Sequence, residues 1–217
     1  MEFKDRTEAG KQLAELLLSY KSDNLVVLAL PRGGVPVGFE IAKKLNSPLD
    51  TIVARKISSP ADPEFGVGAI APGDIIIFNN SSIQSLDLKR EDIDIIVENE
   101  LKEMDRRMVH YNSGEYSKNV VTDTVIIVDD GLATGVTALA AIESVKIIQK
   151  PKTIIFASPV CSKDAAKKLR DLVDYVVCLK EVEDLVSVGG WYKEFNQTSD
   201  EEVIYLLEEA AKFNLSQ

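Results

Sequence analysis

A chain of 217 residues is long for one small domain and short for two complete ones, which predicts one domain over residues 1–217 with room for an insertion. Its hydrophobic fraction of 45% supports a sizeable core and excludes wholesale disorder. Lys and Arg number 25 against 35 Asp and Glu, and the resulting net charge of -10 argues against nucleic acid as a partner.

No window approaches the ~18–20 consecutive apolar residues of a membrane span. Residues 1–6 are charged and lack the apolar stretch of a secretory leader. Cys161 and Cys178 are too few for a disulfide framework or a zinc site and sit among apolar neighbours, so a reduced, cytoplasmic protein is expected.

From the N-terminus, Leu13, Leu16, Leu17 and Tyr20 predict a helix over 7–20 behind an Asp5…Glu8 start signal. Residues 25–30 are continuously apolar, the pattern of a strand buried on both faces. A helix near 35–46 leads to a second such strand at 49–54. Residues 57–74, rich in Ser, Pro, Asp and Gly, predict a long turn-rich connection of the kind that often carries function. A third strand is expected at 75–78. Residues 88–111 read as one charged helix with Ile93, Ile96, Val97, Leu101, Met104 and Met108 as its stripe, a packing arm or oligomer contact inside an insertion over about 83–119. Strands at 125–128, 153–157 and 174–179 then alternate with helices near 135–150 and 162–171. A cap over about 180–217 holds an aromatic patch and a last helix at about 200–213. Strands alternating with helices predict an α/β fold with a mostly parallel, twisted sheet flanked by helices.

The strongest chemical signal is residues 125–137, VIIVDDGLATGVT. A buried strand runs into two acids, a loop of small and hydroxyl residues, and a helix start. Ligands of open parallel sheets bind where strands end. Small residues let backbone amides approach an anion, Thr134 and Thr137 add hydroxyls, and the helix start adds unpaired N–H groups. Asp129 and Asp130 would repel a phosphate, so they need sugar hydroxyls or a cation. Together these features describe a ribose 5-phosphate site.

Residues 30–36, LPRGGVP, repeat the strand–turn–helix pattern, with two glycines that expose amides and Arg32 free to meet an anion. Arg55 and Lys56 close the second predicted strand, where adjacent cations suit a dianionic leaving group. Residues 66–71, GVGAIA, spell a variant of a dinucleotide fingerprint but lack the flanking strand and helix it needs. His110 is the one histidine, which leaves a serine or cysteine triad little to work with.

Residues 125–137 resemble the signature of the type I phosphoribosyltransferases, whose substrate is 5-phosphoribosyl 1-diphosphate (PRPP). The resemblance implies that Asp129 and Asp130 meet the ribose hydroxyls and that Ala133, Thr134, Gly135, Val136 and Thr137 wrap the 5-phosphate. It implies that Arg32, Gly33 and Gly34 cradle the pyrophosphate, with Arg55 and Lys56 near the leaving group. It also implies Mg2+, with Asp129 and Asp130 as indirect partners, and a hood where Trp191 or Tyr192 either stacks on an acceptor base or packs the cap onto the core. Ala133 stands where the 6-oxopurine branch carries an acid. Over nearly all of residues 1–210 the chain is similar to a subgroup with no assigned acceptor. The implied activity is phosphoribosyl transfer to an unidentified acceptor, a nucleobase among the candidates, with pyrophosphate released. The alternative is a PRPP- or nucleotide-sensing regulator of the same fold. A homo-oligomer and no membrane association are expected.

Overall fold

The first helix begins where Asp5 can cap it. In the computed structural model, which describes residues 2–22, 24–59, 66–86, 89–111 and 122–214, α1 spans Arg6–Leu17 and the Asp5 carboxylate accepts the Glu8 N–H at 2.7 Å. Leu13 and Leu17 of the predicted stripe are buried, while Leu16 is exposed. There follow β1 (Leu25–Ala29), α2 (Gly34–Leu45), β2 (Leu49–Thr51), β3 (Arg55–Ser58), β4 (Gly66–Ala71), β5 (Ile75–Phe78), α3 (Asn80–Ser85) and α4 (Arg90–His110). The chain continues through β6 (Thr124–Val128), α5 (Val136–Ile148), β7 (Thr153–Ser162), α6 (Lys163–Arg170), β8 (Tyr175–Val182) and α7 (Asp200–Asn214).

Five strands form a wholly parallel sheet in the order β2-β1-β6-β7-β8. Its central pair aligns Leu25 with Thr124 and Ala29 with Val128. From β1 the chain winds through α2 to β2 on one side; from β6 it winds through α5 to β7 on the other. The loops leaving β1 and β6 therefore part company, and this reversal of winding opens a crevice at the carboxyl ends of the strands. Alternate residues of β1 and β6 face different cores: Val27, Ala29, Ile126 and Val128 pack with α1, α2, α4 and α7, while Val26, Leu28, Val125 and Ile127 pack with α5 and α6. Burial on both faces is why these runs are apolar without alternation.

The expected turn-rich connection at 57–74 is corrected. Its Gly-Ala segment is strand β4, flanked by β3 and β5 in a separate three-stranded antiparallel sheet. Gly and Ala have poor strand propensity, which hid β4 in the sequence. Tertiary packing overrides propensity there: the Ile77 carbonyl would overlap a side chain on Gly68, and Val67, Ala69 and Ile70 are buried. Residues 75–78 thus form a strand outside the parallel sheet. The predicted 49–54 strand stops at Thr51, and Arg55 and Lys56 open β3 instead of closing it. Of the turn signals, residues 60–65 lie outside the described residues. The charged arm matches α4, with Ile93, Val97 and Met104 buried, and the remainder of the expected insertion after Tyr111 is not among the described residues.

At Gly34, the first residue of α2, a Cβ would stand 2.7 Å from the Val128 carbonyl oxygen and 3.1 Å from the Asp129 Cα. Both are backbone atoms, so relief requires moving β6. Gly34→Ala is therefore expected to destabilise by about 1–3 kcal/mol, outweighing the ~1 kcal/mol that alanine gains as a helix former. The melting temperature should fall by several degrees. An unchanged or higher value in calorimetry would show that the two loops are not in tight contact.

Candidate active site

The two loops that the sequence singled out meet at the crevice. The Leu30 N–H donates to the Val128 carbonyl at 2.8 Å, joining the end of β1 to the end of β6. The Pro31–Arg32 peptide is cis. The Asp130 carboxylate fills the space that a side chain on Gly33 would occupy. Asp129 lies deeper, its Oδ1 accepting the Asp130 N–H at 2.9 Å. Burial first, and the adjacent Asp130 charge second, hold the Asp129 carboxyl well above the usual aspartate range. Both acids are half-buried, Asp129 held toward its protonated form and Asp130 set against Gly33.

Beyond the acids, the Leu132 N–H donates to the Val160 carbonyl at 2.8 Å, and the Ser162 hydroxyl donates to the Ala133 carbonyl at 2.7 Å. These bonds fix the loop from below. Gly135 adopts φ 80°, a left-handed turn that favours glycine, and the next residue begins α5. Thr134 is exposed and Thr137 half-buried. The first N–H groups of α5 lack intrahelical partners, as at every helix start, and with the helix dipole they suit an anion.

The structure separates the two cations that the sequence had paired. Neighbours on a strand point to opposite faces. Arg55 Nε donates to Glu100 of α4 at 2.5 Å, whereas the Lys56 stem borders Gly66 beside Val136, at the start of α5. Arg32 reaches Asp200 at 3.5 Å. Asp200, the first residue of α7, also accepts the Tyr111 hydroxyl at 2.5 Å and Arg106 at 3.3 Å. The Tyr111 hydrogen bond is the chief reason the Asp200 carboxyl sits below its usual range, and burial pushes the Tyr111 phenol up to about 12. Sequence reasoning missed Glu100 and Asp200. Each lies on a charged helix face that is indistinguishable in the sequence from a solvated one.

Of the two readings left open for the aromatic patch, Tyr192 takes the packing one. Tyr192 is 6% exposed, packs on Phe3 and Phe195 with ring centroids 5.5 and 5.1 Å away, and donates its hydroxyl to the Asp130 carbonyl at 2.6 Å. Its ring offers no face to a ligand, and it braces the acid loop. Trp191 is half-buried, and its carbonyl accepts the Phe3 N–H at 2.8 Å. Arg6, which drew no attention in the sequence, donates Nε to Asp130 Oδ2 at 2.7 Å and Nη1 to the Asn196 carbonyl at 2.7 Å. Its guanidinium carbon stands 3.9 Å from the Phe195 ring centroid. Nothing local announces an arginine at a helix start as a partner for an acid 124 residues away.

An aspartate whose folded pKa is raised opposes folding at neutral pH, because the unfolded chain ionises it more readily than the folded one. That cost is absent below the unfolded pKa, near 3.8, and grows as pH rises toward the folded value. Asp129→Asn keeps an oxygen to accept the Asp130 N–H. It should melt higher than wild type at pH 7, with the difference closing on acidification toward about pH 4. Thermal melts across that range check it, and a variant that melts lower at pH 7 would contradict the assigned burial cost.

Residues 3–199 match the family model described as the phosphoribosyl transferase domain. Proteins of two Mycobacterium tuberculosis strains, each named "Putative phosphoribosyl transferase", are 38% identical over 208 residues, covering 96% of this chain. The chain spans 47% of the length of those relatives. Among solved structures, TT1426 from Thermus thermophilus is 32% identical with a TM-score of 0.74, covering 96% of this chain and 99% of its own. The parallel sheet and the two strand-end loops described above agree with that match, and the chain belongs to the phosphoribosyl transferase domain family.

Proposed function

We propose that this protein binds PRPP and transfers its 5-phosphoribosyl group to a small-molecule acceptor, releasing pyrophosphate. The observation that carries this reading is the contact of Asp130 with Gly33. It sets a pair of carboxylates, a helix start and an arginine-glycine turn around one crevice, and PRPP carries hydroxyls, a phosphate and a diphosphate in the same arrangement. In this reading Asp129 and Asp130 accept hydrogen bonds from the ribose hydroxyls. The backbone of Ala133, Thr134, Gly135, Val136 and Thr137 holds the 5-phosphate with the two threonine hydroxyls. Arg32, with the Gly33 and Gly34 turn, receives the diphosphate; of the two β3 cations, Lys56, on the face toward the start of α5, serves the leaving group, while Arg55 on the other face is held by Glu100.

The reaction breaks the bond between the anomeric carbon and the diphosphate oxygen. The electron pair leaves with pyrophosphate, and an acceptor nucleophile captures the oxocarbenium-like sugar and loses a proton. The chain's own contribution is positioning and stabilisation of charge on the leaving group. Among the described residues no group of three His, Cys, Asp or Glu forms a metal cage. Two neighbouring carboxylates beside a phosphate-bearing ligand nevertheless suit magnesium, which is held through one or two carboxylates and substrate oxygens. Asp129 and Asp130 are the residues that would hold it, indirectly, and it would neutralise diphosphate charge. No helix among the described residues is long and apolar enough to cross a membrane. We extend the reading to a cytoplasmic, homo-oligomeric protein acting as one domain.

A screen of nucleobases with magnesium and PRPP, following pyrophosphate release, tests transfer directly; binding without release from any acceptor would favour the sensing alternative. Magnesium and PRPP at a hundredfold excess over Kd should stabilise by about 2.7 kcal/mol and raise the melting temperature by several degrees. Arg32→Ala should weaken pyrophosphate and PRPP by about ten- to a hundredfold and leave ribose 5-phosphate nearly unchanged. Equal losses for all three ligands would remove Arg32 from the diphosphate.

A further inference from the structure

Arg6 sits on Asp130 Oδ2, the carboxylate oxygen that also lies against Gly33. Its pair with Asp130 is not a loose surface contact, since the two side chains are 12% and 15% exposed. The guanidinium is held on its other sides by the Asn196 carbonyl and the Phe195 ring. Asp130 Oδ2 therefore already has a strong donor before any sugar arrives. Beside Arg6 lies a cavity of about 240 Å³, bordered by Asp5, Glu194 and Glu202. These acids offer a displaced guanidinium a nearby berth with compensating charge.

We propose that Arg6 is a specificity-determining residue for the ribose: it occupies Asp130 in the free protein and yields only to a ligand whose hydroxyls replace its hydrogen bond. This rests on the PRPP reading above, in which Asp130 meets a ribose hydroxyl. An anion without hydroxyls leaves the Arg6–Asp130 pair intact. A sugar phosphate must shift a pre-existing equilibrium, and its apparent affinity is lowered by the fraction of protein in which Arg6 still covers Asp130.

The sign follows. Arg6→Met keeps an apolar stem against Phe195 and removes the competitor. Ribose 5-phosphate should then bind about three- to tenfold tighter relative to pyrophosphate, both without magnesium, measured by titration calorimetry on both proteins. Taking the ratio cancels the loss of a positive charge near both anions. Phe195→Leu keeps that charge and removes the ring under the guanidinium, so it should shift the ratio in the same direction by a smaller factor. It also serves if Arg6→Met fails to fold. Wild-type protein that binds ribose 5-phosphate, with variants whose ratio is unchanged or shifted the other way, would overturn the proposal and make Arg6 a strut or a direct sugar ligand. Wild-type protein that binds no ribose 5-phosphate would overturn the PRPP reading itself, and this inference with it.

Discussion

The Asp130 carboxylate occupies the space a side chain on Gly33 would need, and that contact ties together two loops leaving adjacent parallel strands. It forms only because β1 and β6 are neighbours at the point where the sheet's winding reverses. Glycine at 33 admits the carboxylate, and glycine at 34 admits the β6 backbone. Tyr192 fixes the acid loop through the Asp130 carbonyl, and Ser162 fixes the following loop from β7. The candidate site is therefore a junction of several elements whose geometry is set by how closely two turns can approach.

Charge in the crevice follows the same logic. The molecule carries a net charge of -10, and three of its arginines sit in shielded ion pairs. Each is held by a carboxylate: Arg6 by Asp130, Arg32 by Asp200, Arg55 by Glu100. In every one of these pairs both side chains are a quarter exposed or less, in contrast to a surface pair such as Lys102–Glu98 at 69% and 68%. Pairs shielded to this degree are screened less by salt, and losing one partner would strand a half-buried charge. Under the proposed function, a polyanion arriving at Arg32 competes with an acid already in place.

The charged arm has more to do than its stripe suggested. α4 packs Ile93, Val97 and Met104 into the core and carries Glu100 to Arg55 and Arg106 to Asp200. Tyr111, just past its end, completes the hold on Asp200. The arm and α7 together hold Arg55 and Arg32 through Glu100 and Asp200. An element that reads as peripheral packing reaches Arg55 and Asp200 through its polar face.

How much of this was legible depended on the range of the forces involved. The apolar runs, the cap at Asp5 and the strand–acid–loop–helix pattern of 125–137 are local consequences of burial and backbone hydrogen bonding, so the sequence alone determined the α/β class, most elements and both crevice loops. β4 escaped because its Gly-Ala composition denies a strand locally, while the antiparallel neighbours and the close approach of Ile77 impose one. Arg55 and Lys56 read as a cationic pair until the strand's pleat turned them to opposite faces. Arg6, Glu100 and Asp200 could be found only in three dimensions. An ion pair depends on where two side chains end up, and a charge on a helix face looks the same in sequence whether it meets water or an arginine across the crevice.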